Sequence, residues 1–440
     1  MKMSSPVAPR FAAASALALL LSTVAPFTHA ANLTWATSAA GTWNTSTTTA
    51  WNPGPVAWSS STSTTDVAVF DGTTNYTVTL APSTDIYLGG ITTSATLGGV
   101  IIQTALGSSL NLTGATPTFT LNNNAGGMDI YAVTKGSTGL TKAGAGTLSL
   151  YAANTYTGGT TINAGQITVR VNNAIHTSNA LTMNAGFLSL AGFNQTVASL
   201  TGASGATVRA TAGTATLTVD GASSTTFAGS LSDGAAALRL NLTVAGGTLA
   251  LTGTSKAYRG ATTISGGTLN LGTSLATGSV DVSVGTLTSS VASVTLGTGA
   301  VSMSSGFITP GGVGTVGSFT LAANQTFTTT GGTLNFNIGG TFDQIIGSGT
   351  GAFSLTNTTL ALNDGVTSVA GSYLLFSGFG GTNTVSGLII TGLDPGFSGV
   401  LGANGVLTVS AIPEPSTWAA LFGAAALGIA VLRRRNIARA

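Results

Sequence analysis

The chain has 440 residues, of which 5% are charged and 62 are glycine, and it contains no cysteine. Ordinary globular domains carry about 25% charged residues, but 43% hydrophobic residues also argue against a disordered polar chain. Residues 31–412 contain ten Asp against seven Lys or Arg, a net charge of −3 (7 − 10), which argues against a basic nucleic-acid surface.

Residues 1–30 have the organisation of a secretory signal peptide. Lys2 and Arg10 precede the apolar run FAAASALALLLSTVAPF, and small residues surround Ala30. We therefore expect export through the secretion translocon and cleavage after Ala30, with an uncleaved anchor as the alternative. An exported chain without cysteine must be stabilised by packing and backbone pairing.

Residues 31–100 are predicted to form an N-terminal β cap. Trp35, Trp43, Trp51 and Trp58 fall within 24 residues of each other, and the strand-like run DVAVFDGTTNYTVTL follows them. A β-rod needs its open end covered, which favours a hydrophobic cap. A sugar-binding aromatic platform is the alternative interpretation.

Residues 101–330 contain an internal repeat. The segment 144–169 (GAGTLSLYAANTYTGGTTINAGQITV) aligns with 246–271 (GGTLALTGTSKAYRGATTISGGTLNL), placing Tyr156 on Tyr258. A glycine followed by an alternating apolar tetrad also recurs at steps of 18 to 21 residues or multiples of them. These glycines are Gly146, Gly165, Gly186, Gly247, Gly267, Gly285 and Gly306, with Gly205 and Gly229 as intermediates.

Period-two alternation places the apolar residues of each tetrad on one face of a short strand. Such a strand cannot bury that face alone, whereas stacked coils of about twenty residues share a continuous interior. The pattern therefore predicts an all-β solenoid, and a meander of hairpins is the alternative. Residues 331–411, which open with GGTLNFNIGGTFDQI, are predicted to form a C-terminal β-rich closing module.

The run NTYTGGTTI at residues 154–162 gives the repeat a family likeness. The segment 144–169 resembles the autotransporter-associated β-strand repeat, and this resemblance implies a right-handed parallel β-helix displayed outside the cell. After residue 331 too little chain remains for the translocator barrel of a true autotransporter, so another export route is expected.

Residues 412–440 end the sequence with a Pro-Glu-Pro motif, an apolar run and a basic tail. The run from residue 418 to 432 would span about 22 Å as a helix, against a bilayer core of about 30 Å, which suits a temporary membrane anchor. The residues expected to form the signal are Pro413, Glu414, Pro415, Arg433, Arg434 and Arg435. The segment resembles the PEP-CTERM sorting signal, which implies an exosortase-type transpeptidase as partner. The implied sequence of events is transient anchoring in the inner membrane by a short transmembrane helix and cleavage near the motif; a permanent anchor is the alternative.

Acid–base and metal chemistry have little support in the sequence. Glycoside cleavage needs paired carboxylates, yet the best candidate pair is Asp129 with Lys135, at an even spacing that would put both on one strand face. Asp343 and Asp364 could approach a catalytic partner only if the fold brought a residue of another coil next to them. His176 is the one histidine left after the signal peptide, so no metal or cofactor is expected.

We therefore expect a surface or extracellular protein with a structural or adhesive role in an extracellular polysaccharide matrix. It is not expected to be an enzyme or to bind nucleic acid. The alternative is a carbohydrate-active enzyme, a polysaccharide lyase or hydrolase, on the same scaffold.

Overall fold

The computed structural model describes residues 31–35, 40–46, 51–52, 58–122, 126–253, 256–312, 314–363, 369–413, 422–431 and 434. Its strands form a parallel β-helix with three faces, which the chain visits in the fixed order I, II, III. Neighbouring coils run in the same direction throughout these faces, apart from one antiparallel contact at the N-terminal end. The stacked-coil prediction is therefore confirmed, and the hairpin meander is excluded.

Face I is one sheet of 17 strands along the whole rod. Its strands are Asn32–Trp35, Trp51–Asn52, Val67–Phe70, Gly90–Thr93, Thr118–Leu121, Leu140–Ala143, Thr160–Ile162, Ala180–Met183, Ser199–Gly202, Ser224–Phe227, Thr248–Leu251, Thr268–Leu271, Thr286–Ser289, Phe307–Thr309, Thr333–Asn337, Thr359–Asn363 and Ile389–Thr391.

Face II consists of two sheets joined through single bridges at Ala257 and Leu275. The first sheet contains Ala40–Trp43, Tyr76–Leu80, Val100–Gln103, Met128–Ile130, Thr147–Leu150, Gln166–Val169, Gly186–Ser189, Ala206–Ala210 and Ser230–Asp233. The second contains Ser293–Leu296, Ser318–Leu321, Gln344–Ile346 and Phe376–Ser377.

Face III also consists of two sheets, and side-chain amides carry the pairing across the gap between them. Asn154 accepts from the Thr134 backbone N–H at 2.7 Å and donates to the Ala174 carbonyl at 2.7 Å. The side chain of Gln195 makes the equivalent pair of bonds to the backbone of Ile175. The strands are Asp85–Leu88, Ser109–Leu112 and Val133–Lys135, then Gln195–Val197, Thr214–Val219, Arg239–Val244, Thr262–Ile264, Val280–Val282, Val301–Met303, Phe327–Thr329, Phe353–Thr356 and Thr384–Ser386.

The core is the column of apolar side chains that the alternation turns inward. Leu148 stacks on Ile167 and Leu249 on Leu269 in adjacent coils, and all four are fully buried. Fully burying one such side chain contributes roughly 1.5–3 kcal/mol. The register gives the coil length directly, because Thr248 pairs with Thr268 and Thr268 with Thr286, steps of 20 and 18 residues.

The two repeat copies share a local structure but lie on different faces. Tyr156 and Tyr258 are both fully buried, and their hydroxyls meet those of Thr160 and Thr262 at 2.7 and 2.6 Å. The TTI strand that follows lies on face I in the first copy and on face III in the second. The sequence alignment is therefore correct as a local motif, although it does not fix the position of the motif around the rod.

The N-terminal end is closed by a tryptophan cluster, as predicted. Trp35, Trp43, Trp51 and Trp58 are at most 3% exposed, and neighbouring ring centroids lie 4.7–5.0 Å apart. The indole of Trp58 also donates to the Tyr87 carbonyl at 2.7 Å. Rings buried to this degree cannot form the alternative sugar-binding platform.

At the C-terminal end, three strands pair antiparallel over the last coils. They are Gly371–Leu374, Phe397–Leu401 and Val406–Ala411. The other strands of residues 333–391 extend the three faces of the rod.

The predicted transmembrane helix over residues 418–432 is not supported. In this part of the chain the structure describes helical residues at 422–431 and at 434. Among the described residues, no helix is long and apolar enough to cross a membrane.

Candidate functional site

The outward side of face III carries a single file of polar side chains in register, here called the face III hydroxyl column. Each member occupies the same strand position as its neighbour in the next coil, so successive members lie about 4.8 Å apart. The members are Thr196, Thr218, Thr243, Thr263, Asp281, Ser302, Thr328, Ser354 and Thr384.

Face I carries a second such file, the face I threonine column. It is formed entirely by threonine over consecutive coils, in the N-terminal and central part of the rod. The members are Thr118, Thr141, Thr161, Thr182, Thr201 and Thr226. The strands position these side chains because the alternate residues of each strand are the buried core.

The hydroxyls of the face III column are largely open to an external partner. Within the column, the Ser302 hydroxyl donates to the Asp281 carboxylate at 2.7 Å, and Thr384 donates to Ser354 at 2.8 Å. Among the described residues, Thr243 and Thr263 make no side-chain hydrogen bond to the protein. A hydroxyl both donates and accepts, so a row of them can bind another row of hydroxyls without any charge.

The predicted pair of Asp129 and Lys135 does not form. Asp129 lies on face II in the strand Met128–Ile130, whereas Lys135 ends the face III strand Val133–Lys135. The chain turns a corner between them, so the even spacing does not place them on one strand face. Lys135 instead lies 3.4 Å from Asp85, whose pKa is lowered by the hydrogen bond from Ser109 and by Lys135, against the effect of burial.

Asp343 is a buried structural carboxylate. It accepts the backbone N–H of Gly317 at 2.7 Å and both the backbone and side-chain N–H of Asn337 at 2.8 Å. Burial raises its pKa to about 6, and these hydrogen bonds oppose that shift. All three partners are backbone or amide N–H groups of this coil and the adjacent one, so the carboxylate is not placed for acid–base work on a bound ligand. Asp364 lies outside the described residues.

His176 is half-buried, and its Nδ1 lies 2.7 Å from the Ser178 hydroxyl. No cluster of three or more potential metal ligands occurs in the described part of the chain.

The predicted processing sites fall mainly outside the described segments. Ala30, Glu414, Pro415, Arg433 and Arg435 are not described, whereas Pro413 and Arg434 are exposed. Cleavage after Ala30 and the roles of the sorting residues therefore stay predictions.

Sequence reasoning did not single out the surface columns or a group of aromatic and basic side chains on face II. Tyr151 and Arg170 each directly follow an aligned tetrad, TLSL and QITV, at the same offset. Comparing the residue after each tetrad would have shown that these two side chains lie one above the other.

Comparison with known proteins confirms the two resemblances. Residues 140–169 and 246–271 match the passenger-associated-transport-repeat family, and residues 411–435 match the PEP-CTERM protein-sorting motif. Over 89 residues the chain is 44% identical to the adhesin BmaC autotransporter of Brucella suis biovar 1 (strain 1330). The aligned region is 20% of this chain and 2% of that much longer relative.

Proposed function

We propose that this protein is exported to the cell surface and has a structural or adhesive role in the extracellular polysaccharide matrix. The observation that carries the proposal is the pair of hydroxyl columns on an uninterrupted rod that bears a sorting motif at its C-terminus. The relative that matches part of the chain is named an adhesin, which agrees with this role.

Polysaccharide is the ligand class that suits these columns. Each hydroxyl-to-hydroxyl hydrogen bond contributes only about 0.5–1.5 kcal/mol net, because both groups are hydrated beforehand. A column of nine positions at about 4.8 Å spacing is about 38 Å long and can make many such bonds to one extended chain. Affinity then comes from repetition rather than from one deep pocket.

The test compares two double variants of the secreted protein on cellulose, xylan, alginate and dextran. Thr243→Val with Thr263→Val removes two adjacent hydroxyls of the face III column and keeps the branched side-chain shape. Thr295→Val with Thr320→Val makes the same change to register partners on face II. We expect the first to weaken binding severalfold and the second to leave it unchanged. If the unmodified protein binds none of the four, the adhesive role is wrong.

Processing follows from the matched sorting motif. We propose that an exosortase-type transpeptidase cleaves near Pro413, Glu414 and Pro415 and that the body of the chain is passed outward. Mass spectrometry of secreted protein should then lack peptides from residues 421–433. Recovery of those peptides from secreted material would contradict the cleavage.

We propose a non-enzymatic role. The arrangement of the described carboxylates supports it, since Asp129 faces no second acid on its strand and Asp343 is engaged by backbone and amide N–H groups. Turnover of any of the four polysaccharides by the purified protein would favour the carbohydrate-active enzyme instead.

A further inference from the structure

Two tyrosines stack on the outside of face II. Tyr131 and Tyr151 directly follow the register partners Ile130 and Leu150 of adjacent coils. Their ring centroids lie 4.2 Å apart and the planes differ by 14°. The two rings come from adjacent coils and stack face to face along the rod axis. Their planes are therefore roughly perpendicular to that axis.

The far side of Tyr151 is closed by an arginine. The Arg170 guanidinium lies 5.8 Å from the Tyr151 ring centroid, one further coil along. A cation at this distance over a ring contributes about 0.5–1 kcal/mol at an exposed site. Arg170 therefore helps to fix the ring of Tyr151, which in turn supports the ring of Tyr131.

The other face of Tyr131 is open. Tyr131 is 41% exposed, and its free side borders a concavity of about 210 Å³ that is lined by Gln103, Thr104 and Tyr131 itself. Pockets that enclose a drug-sized molecule are usually about 300–1,000 Å³. This one is large enough for a single ring and too small for an oligosaccharide.

We propose that this concavity, the Tyr131 subsite, binds one pyranose ring of an equatorially linked polysaccharide; the inference rests on the proposed function and adds a specific contact to it. The C–H face of the sugar packs on the electron-rich face of Tyr131, which attracts polarised hydrogens. Gln103 supplies an amide at the rim for the sugar hydroxyls, whereas the Thr104 hydroxyl already bonds within the protein, 3.0 Å from the Ala105 carbonyl and 2.9 Å from the Ser108 hydroxyl. The ring plane of Tyr131 sets the direction of the sugar bound there, so this sugar chain crosses the rod along the face II strands and is separate from a chain bound along the face III hydroxyl column.

The charge around the subsite argues against a nucleic-acid base as the stacking partner. The pKa of Tyr151 is raised mainly by burial and secondly by the nearby negative charge of Asp129. A phosphate backbone would meet this carboxylate, while Arg170 is already engaged with the stack. A neutral sugar chain incurs no such repulsion.

The experiment measures binding of β-1,4-linked glucose, mannose and xylose hexasaccharides to the full secreted chain by titration calorimetry. Tyr131→Ala removes the stacking face, and Tyr131→Phe keeps it. Phe307→Ala is the matched control, because Phe307 is 46% exposed but lies on face I. Aromatic contacts of this kind contribute about 0.5–1.5 kcal/mol, so we expect Tyr131→Ala to weaken binding about 2- to 13-fold. Tyr131→Phe and Phe307→Ala should stay within about 2-fold.

The outcomes separate the two proposals. If Tyr131→Ala binds like the unmodified protein while Thr243→Val with Thr263→Val loses affinity for polysaccharide, the Tyr131 subsite is wrong and the adhesive role stands. If the unmodified protein binds neither the hexasaccharides nor the four polysaccharides, both are wrong. If Tyr131→Ala fails to fold, Gln103→Leu provides the test, since it removes the rim amide, leaves the stack in place and should also weaken binding. Preferential binding of single-stranded oligothymidine, lost in Tyr131→Ala, would overturn the assignment to sugar.

Discussion

Asp343 makes the stability of the C-terminal coils depend on pH. Its carboxyl group is fully buried and accepts three N–H groups, one from Gly317 and two from Asn337, which link the stacked corners of two adjacent coils. The substitution Asp343→Asn removes the group that titrates. It also places the N–H₂ group of the new amide against N–H groups of Gly317 and Asn337, which are themselves donors. We therefore expect the variant to be less stable than the unmodified protein at acidic pH.

The magnitude follows from the pKa. Burial raises the pKa of Asp343 to about 6 in the folded protein, against 3.8 for an unperturbed Asp. A carboxyl group with a raised folded pKa contributes stability that is complete below pH 3.8 and is lost as pH rises through 6. A shift of about 2.2 units at about 1.4 kcal/mol per unit corresponds to a loss of about 3 kcal/mol between pH 4 and pH 7.

The assay is urea unfolding followed by circular dichroism at several pH values from 4 to 7.5. Tryptophan fluorescence is unsuitable, since the four tryptophans of the cap report the opposite end of the rod. We compare the free energy of unfolding of the unmodified protein with that of Asp343→Asn at each pH. The difference, unmodified minus variant, should fall by about 3 kcal/mol as the pH rises over this range. Asp220→Asn, at an exposed turn, serves as control and should show no such change. A difference that stays constant with pH would refute the reasoning.

Three further changes test the corners and the core. Tyr156→Phe should lower the free energy of unfolding by about 1–3 kcal/mol, because the Thr160 hydroxyl loses its partner. Tyr258→Phe should lower it by less, because Thr262 keeps its contact with the Thr277 hydroxyl. Equal losses in urea unfolding would contradict this. Burial lowers the pKa of Lys142 and that of Lys256 to about 8, so each should raise the unfolding free energy by about 3 kcal/mol from pH 8 to 10.5, and Lys142→Met should remove about half of the total rise in the same assay. Gly165→Ala should destabilise strongly, since φ is +68° and a Cβ would lie 2.4 Å from a carbonyl oxygen, whereas Gly205→Ala meets open space and should be neutral by thermal denaturation.

The sequence predicts the coiled architecture because both the coil length and the inward-facing positions can be read from residue spacing. The first is the interval between equivalent glycines, and the second is the alternation of apolar residues. The intermediate tetrads after Gly205 and Gly229 correspond to the strands Ala206–Ala210 and Ser230–Asp233, although each match alone is weak. Spacing does not reveal where a strand stops. The even spacing of Asp129 and Lys135 predicts one shared strand face only if the strand is continuous, and the chain leaves face II after Ile130.

The C-terminal segment shows a different limit. A run of apolar residues from 418 to 432 does not by itself specify a helix that can cross a membrane, and none of the described helices can. The sequence does not reveal the surface columns, because their residues do not stand out from the rest of the chain. Outward threonines such as Thr243 and Thr263 are unremarkable in a threonine-rich sequence, and the pattern emerges only when the register places them one above the other.

The two repeat copies show what the conserved-looking motif specifies physically. The contact between Tyr156 and Thr160, and that between Tyr258 and Thr262, spans four residues and is complete within one corner. Such a corner can occupy any edge of a three-faced rod, because every edge requires the same sharp turn followed by a strand. The change of face takes place after Asp233, next to the pair of six-residue face III strands Thr214–Val219 and Arg239–Val244. The motif therefore specifies the turn and the strand after it, whereas the face onto which it leads differs between the two copies.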